Sequence, residues 1–507
     1  MRLLAPIDGI DRAAGRLRAA LTDPARAERA VVAVLAAYVV VWAAYATVSK
    51  WPQGLHPDMT EIFAWSRDLA LGYLKHPPLA AWLAWAWFAV FPVAEWSYYL
   101  LAMLMPGLAL WLAWRVAADY LDVEKRVIGL ALLMLVPFFN FHALKYNVNT
   151  VLMPLWAATT LCFLRSVETR SSLWAALAGL AAAGSMLGKY WSVFLLAGLA
   201  LAALIDARRV AYFRSPAPWV TVAIGLVVLA PHLVWLVQHN FAPFTYAMIV
   251  HGEKPLTTTV MAVLGYLGGA LAYVAIPLII VAVMTRGRPA VLAEMAWPRD
   301  TGRRLVALAF WLPLLLPAVG AVIGRSEITS LWSMPAFTLL PVLLLAPAGV
   351  AAQAVETRRL LVAAVAVPLV LLIASPVIAF FAQRGGPQLA AAQSPLLAQQ
   401  VEQAWRALTP QPLMFVGGEA DLAYGVATYA GDRPRALTDM PPPDASALAR
   451  GGAVYVCAED AGCRRKAVER AAAVPGARTI ESEIRRGFMG QLGKPQRYTI
   501  VLVPPRS

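Results

Sequence analysis

The chain has 507 residues, of which 60% are apolar and 14% charged, against about 45–50% and about 25% in soluble globular domains. That balance excludes a soluble enzyme, a disordered chain, a fibrous protein and a disulfide scaffold, and predicts an all-α polytopic membrane protein. The net charge of +14 is no nucleic-acid footprint, because the basic surplus sits in short loops between apolar runs instead of forming a stripe on one folded face.

In chain order, residues 1–29 carry six arginines and read as a cytoplasmic segment. The first apolar run, 30–48, is followed by no small-residue cleavage site and reads as an uncleaved span. Ten more runs follow at 96–114, 127–143, 149–164, 173–187, 190–205, 218–236, 258–284, 305–323, 331–348 and 360–381, giving about eleven spans within a membrane domain of residues 30–384. With the N-terminus inside, the inner segments carry 21 Lys/Arg and the outer ones before residue 385 carry 7, a clear positive-inside bias. The stretch 79–94 is uncharged but covers only roughly 24 Å as a helix, short of the hydrocarbon core. It reads as interfacial or re-entrant, which leaves residues 385–507 outside.

Past residue 384 the composition turns polar and richer in Pro and Gly. Strand-like stretches at 413–416, 453–456 and 498–503, with helical stretches at 420–429 and 460–473, predict a small α/β domain of about 120 residues. Cys457 and Cys463 lie at a strand end and a helix start, where an oxidising compartment permits a disulfide or two free thiols. Cys162 reads as a small apolar residue within a span. The glycines between 487 and 493 lack phosphate-loop spacing.

The loop 49–95 after the first span is the richest in polar groups. Ile62, Trp65 and Leu69 share one helical face, with Glu61, Arg67 and Asp68 off it. This predicts an amphipathic helix on the outer membrane surface, stopped at Gly72 and with Asp58 as its cap or near-cap. His56, Asp58 and Glu61 are the one set that could hold a hard divalent cation; no other metal or cofactor is expected.

The run from Asp58 through Gly72-Tyr-Leu-Lys75-His76-Pro-Pro-Leu-Ala-Ala-Trp82 resembles the first-loop signature of the GT-C superfamily. These are the polyprenyl-phosphate-dependent membrane glycosyltransferases, in their protein-mannosyltransferase and aminoarabinose-transferase branch. Asn147-Val-Asn149, Gly188-Lys189-Tyr190 and Pro231-His-Leu-Val-Trp235 resemble later family motifs in the same order, so the likeness covers roughly residues 30–345. It implies a bacterial inner-membrane enzyme with a cytoplasmic N-terminus and a periplasmic C-terminal domain. Such an enzyme moves a sugar, with inversion, from a polyprenyl phosphate to an envelope lipid, glycan or protein. Asp58 is the implied general base and Glu61 a possible partner one helical turn on. Met59 stands where the family has a second acid, and Asn149 where it has Asp.

The leaving phosphate calls for cations. Lys189, which interrupts an apolar stretch, is the first choice. His76 and Lys75 precede two prolines, and which of them acts is open. Arg325, beside Glu327 in a short outer loop, is a fourth. Tyr190, Asn149, Lys145 and His251 are candidate substrate contacts, with snorkelling lysines, surface ion pairs and interface-belt aromatics as the alternatives. A transporter or flippase would place ionisable groups in mid-span and show inverted repeats; a non-catalytic assembly subunit is the third reading.

Overall fold

The computed structural model describes residues 5–386, 389–438, 443–458 and 460–506. They pack as two compact units. One comprises Met1–Ala43, Lys75–Leu79 and Leu100–Leu372; the other Ala44–Leu74, Ala80–Tyr99 and Ile373–Ser507. The loop 49–95 is therefore divided. Asp58 and Glu61 belong to the unit that contains the C-terminal domain, whereas Lys75 and His76 belong to the unit that holds most of the apolar helices.

In that helical unit and its extensions, seven helices among the described residues are long and apolar enough to cross a membrane: Ala27–Lys50, Glu95–Ala117, Val148–Thr169, Ala217–Gln238, Leu256–Tyr273, Thr301–Gly324 and Ala354–Gln383. The other four predicted runs are helical but shorter or broken. Ser172–Gly188 and Tyr190–Ile205 are short, and Ser330–Leu339 is a 3₁₀ helix continued by Leu340–Leu345. The run 127–143 bends by 76° after Met134. Pro137 causes that bend, because the residue before a proline is pushed out of the helical region, and Val136 is extended at ψ 127°. The carbonyls freed there are satisfied inside the protein, as an apolar surrounding demands. The buried Asn140 donates Nδ2 to Met134 O and Val136 O, both at 3.1 Å, and Tyr38 Oη donates to Met134 O and Phe139 O.

Small residues bring helices close. A Cβ on Gly179 would meet the backbone oxygen of Thr221, so Ser172–Gly188 and Ala217–Gln238 approach at their backbones. Thr221 Oγ1 seals the contact by donating to Ala175 O at 2.9 Å. In the same unit the N-terminal helix Ala5–Thr22 docks through a two-pronged Arg18–Glu124 pair at 2.8 and 2.7 Å.

The second unit is α/β. Its five-stranded sheet contains β1 (Phe415–Gly418), β2 (Arg435–Ala436), β3 (Ala453–Cys457), β4 (Arg478–Ile484) and β5 (Gln496–Val503), in the order β2-β1-β3-β5-β4. β1 runs parallel to β2 and β3, and β5 is antiparallel to β3 and β4. β3 is buried along its whole length, as a strand covered on both faces must be. One face packs Val416, Val454, Ile500 and Leu502 against Leu397, Val401 and Trp405 of helix Ser394–Arg406 and against helix Ala420–Tyr429. The other face packs Phe415, Tyr455 and Val501 against helix Ala461–Ala472. Cys457 and Cys463 form a disulfide. β4 is an exposed edge rich in charge, a pattern that protects a sheet edge and hides the strand from a hydrophobicity reading.

The same unit contains helix Pro57–Ser66, and the surface-lying helix expected there is corrected. Ile62 and Trp65 are 2% and 1% exposed because the helix packs on Ala420–Tyr429 of the C-terminal domain. It ends at Ser66, with Arg67 as its cap, leaving Leu69 51% exposed beyond the end and Gly72 as no stop. From 79–94 only Leu79–Phe88 is helical, about 15 Å of rise, which does not cross.

Candidate functional site

An acidic candidate group is built by the start of helix Pro57–Ser66. Pro57 holds the first helical position, its fixed φ suited to helix entry. The N-cap is His56 and not Asp58: His56 Nδ1 accepts from the Asp58 amide at 3.1 Å. Asp58 stands in the first turn, with its side chain 39% exposed and Oδ1 3.4 Å from His56 Nδ1. A carboxylate there is favoured by the helix dipole, and it is reachable from solvent. Glu61 follows one turn on, half-buried. Met59, where the family has an acid, is 1% exposed, and its carbonyl accepts from Tyr98 Oη at 2.8 Å. That position faces the core, where an unpaired carboxylate would be costly. Among the described residues no three His, Cys, Asp or Glu side chains gather to hold a metal ion, so the His56–Asp58–Glu61 cation set is not assembled.

The segment entering this helix is sewn to the C-terminal domain within the same unit. Tyr429 Oη accepts from the Leu55 amide at 2.7 Å and donates to Glu95 Oε1 at 2.8 Å. Burial, reinforced by Glu95, raises the Tyr429 phenol well above its ordinary pKa, so it remains a donor. The Gly54 amide donates to Ala392 O at 3.0 Å, and Trp51 meets Phe488 edge to face at 5.3 Å. Past the helix, Tyr73 stacks on Trp65 at 4.9 Å and donates to the Trp65 and Asp68 carbonyls, both at 3.0 Å. Burial raises the Tyr73 phenol to about 12.

A separate cationic candidate group belongs to the helical unit. Lys189 caps helix Ser172–Gly188 in an extended conformation that turns it out of the helix. Its ammonium donates to Asn149 Oδ1 at 2.8 Å and lies 4.4 Å from the centre of the Trp332 ring. Asn149 is placed by the capping box that starts helix Val148–Thr169, in which Asn147 and Thr150 bond each other reciprocally. An Asp at 149 would neutralise Lys189; Asn holds it and leaves its charge intact. Trp332 sits on the 3₁₀ helix Ser330–Leu339, a length uncommon for that conformation and often found at functional positions. It also meets His251 edge to face at 5.2 Å. Burial lowers the His251 pKa, with Lys189 and Lys254 adding to the effect against Glu327, so this imidazole is neutral. Tyr190 shares a 3.0 Å hydrogen bond with His232 Nε2, and Phe244 packs on the Tyr190 ring at 4.7 Å.

The remaining expected residues are less gathered. Lys75 lies 5.8 Å from the centre of the Tyr246 ring, on the same helix as His251, and His76 follows it, half-buried. Lys145 is half-buried and offers its carbonyl to Thr150 Oγ1 at 3.3 Å. Arg325, exposed at a left-handed φ of 46°, offers its carbonyl to the Lys254 amide at 2.9 Å. The ion pair expected between Arg325 and Glu327 is replaced by Lys254–Glu327 at 3.8 Å. Four residues were not among the candidates for the site. His232, 3% exposed, carried a signal, being a histidine inside an apolar run. Trp332 carried an aromatic signal that did not name its partner, and the Glu95–Tyr429 pair carried none, because its members are remote in sequence. An apolar cavity of about 310 Å³ in the helical unit is lined by Leu271, Val274, Phe310, Leu314 and Phe337.

A family profile described as dolichyl-phosphate-mannose-protein mannosyltransferase matches residues 75–235, which include Lys75, His76, Lys145, Asn149, Lys189 and Tyr190. The lipopolysaccharide core galacturonosyltransferase RgtB of Rhizobium johnstonii is 27% identical over 322 residues, 61% of this chain and 63% of that protein. The matched stretch thus spans just under two thirds of that relative. The lipid A galacturonosyltransferase RgtD of the same organism is 27% identical over 36% of this chain and 38% of its own length. The crystal structure of ArnT from Cupriavidus metallidurans bound to undecaprenyl phosphate shares the fold, with a TM-score of 0.60 at 14% identity over 93% of this chain and 97% of that one.

Proposed function

We propose, from the premise that the chain belongs to the GT-C superfamily of membrane glycosyltransferases, that it transfers galacturonic acid from a polyprenyl phosphate to an envelope glycolipid. The single observation that carries the reading is the Lys189 ammonium, held by Asn149 and Trp332 inside the segment that matches the family. A fixed, partly desolvated cation is what a departing phosphate requires. The naming of both curated relatives as galacturonosyltransferases supports the choice of sugar, and their acceptors, lipopolysaccharide core and lipid A, support a glycolipid. Nothing in these relatives favours a transporter or flippase.

In this mechanism Asp58 takes the proton of the acceptor hydroxyl as its oxygen attacks the anomeric carbon from the face opposite the phosphate. The bond from that carbon to the phosphate oxygen breaks, its electrons stay on the phosphate, and the configuration inverts. Lys189, with His76, Lys75 and Arg325 as further candidates, balances the charge that develops. Glu61 supports Asp58, and Tyr190, Asn149, Lys145 and His251 contact substrate. The acceptor meets the site on the periplasmic face of a bacterial inner membrane, with the N-terminus cytoplasmic, as the Lys/Arg asymmetry supports.

The test is mass spectrometry of envelope glycolipids from cells with and without the protein, followed by transfer in proteoliposomes supplied with polyprenyl-phosphate galacturonic acid. A hexuronate missing from the glycolipid, and restored by wild type but not by Asp58→Asn, is the expected result. An unchanged glycolipid profile, or full turnover by Asp58→Asn, refutes the reading.

A further inference from the structure

We infer that a basic cleft at the far end of helix Pro57–Ser66 binds an acidic group, a phosphate monoester or a carboxylate, of the acceptor glycolipid. The inference rests on the transferase reading above and names a subsite for its acceptor. The cleft, about 180 Å³, is lined by Ala64, Arg67, Asp68, Pro434, Arg435 and Ala436, all of one unit. Two guanidiniums line it. Arg435 Nε pairs with Asp68 Oδ2 at 3.0 Å. Arg67 donates to the carbonyls of Arg433 and, at 3.2 Å, Pro434, so its strong bonds go to neutral acceptors. Arg433, at a left-handed φ of 47°, adds its positive charge. Of the two nearby acids, Asp68 is the one lining the cleft, and Asp432 turns Oδ2 to the Leu413 amide at 2.9 Å. The cleft is thus walled, positive and polar, and a guanidinium fork suits phosphate or carboxylate oxygens.

Its distance from the base decides which anion it serves. Arg67 caps the helix whose first turn carries Asp58, and nine residues of helical rise separate them by roughly 14 Å. The donor phosphate is bonded to the attacked carbon and so lies within a few Å of the reacting hydroxyl. A group roughly 14 Å away, about two or three sugar lengths along the helix, belongs to the acceptor. The cleft therefore selects an acceptor with an anionic group that far from the hydroxyl that is glycosylated.

The test is binding, not turnover. The full chain in phosphatidylcholine nanodiscs is titrated with lipid A and with the same lipid stripped of its phosphates. Phosphorylated lipid A is expected to bind about tenfold more tightly, the scale of one charge-assisted contact. Arg435→Gln erases the difference, Arg435→Lys retains part of it, and Asp68→Asn, which keeps the shape and removes the opposing charge, widens it. A structural ion pair predicts the reverse for Asp68→Asn. Equal binding of the two lipids, a weaker phosphate preference in Asp68→Asn, or inorganic phosphate matching the affinity of the lipid overturns the assignment. Failure of the transferase reading shows separately, as a binding preference without sugar transfer.

Discussion

The two candidate groups, one in each unit, are held in different ways. Asp58 stands on a ten-residue helix that is clamped to a folded α/β domain by a hydrophobic contact and a chain of hydrogen bonds through Tyr429. Lys189 stands at the end of an apolar helix and is held by the Asn149 amide oxygen and the indoles of Trp332 and Trp191. The acid borrows rigidity from a core built like that of a soluble protein. The cation is fixed by the few polar and aromatic groups that apolar helices can carry. Damage to the acidic group therefore propagates through folding of the C-terminal domain, and damage to the cationic group stays local.

The largest effect should come from the acid itself. Asp58→Asn is expected to lower the transfer rate by about 10²–10⁴-fold, the range of general-base catalysis, with donor binding and thermal stability retained in the purified protein. Next, Lys189→Met is expected to cost about 10–100-fold in kcat/KM, as for loss of one charged hydrogen bond. Asn149→Ala should cost less, because the ammonium stays over Trp332; a double-mutant cycle on transfer would show the two changes to be coupled. Tyr429→Phe tests the clamp. It strips Glu95 of its donor and the Leu55 amide of its acceptor, at a cost of about 1–3 kcal/mol. A lower unfolding midpoint together with a fall in kcat would mark the clamp as positioning Asp58, whereas a stability loss with kcat intact would confine it to architecture. The smallest effect concerns pH. The His251 pKa lies below its ordinary 6.5 in the folded protein, first through burial and then through Lys189. The unfolded chain therefore binds the proton more readily. Stability is undiminished above pH 6.5 and declines as pH falls from there towards the lowered value. His251→Gln should flatten that part of the unfolding profile measured between neutral and acidic pH.

Much of the molecule was legible along the chain. Apolar runs, punctuated by charge, marked the seven long apolar helices, and the α/β composition of the C-terminal region followed from its alternation and turns. Lys189 and Asp58 were visible as costly or concentrated charge, and His232 was visible as a polar intrusion. The helix at Pro57–Ser66 was legible as a helix but misread in its surroundings. An apolar face against lipid and an apolar face against a folded domain give the same pattern, and only Ala420–Tyr429, some 360 residues later, distinguishes them. The edge strand Arg478–Ile484 was missed because a strand with both faces exposed has no hydrophobic period.

The apolar majority of +14-charged sequence by itself determined a polytopic helical membrane protein with a small α/β appendage, because the cost of burying polar groups in lipid acts on each segment separately. Tertiary structure alone decided that the loop 49–95 is shared between two units, that Lys189 faces Asn149 and Trp332, and that Arg67 and Arg435 wall one cleft. These are pairings between residues far apart in the chain, set by packing and hydrogen-bond geometry that no local pattern records.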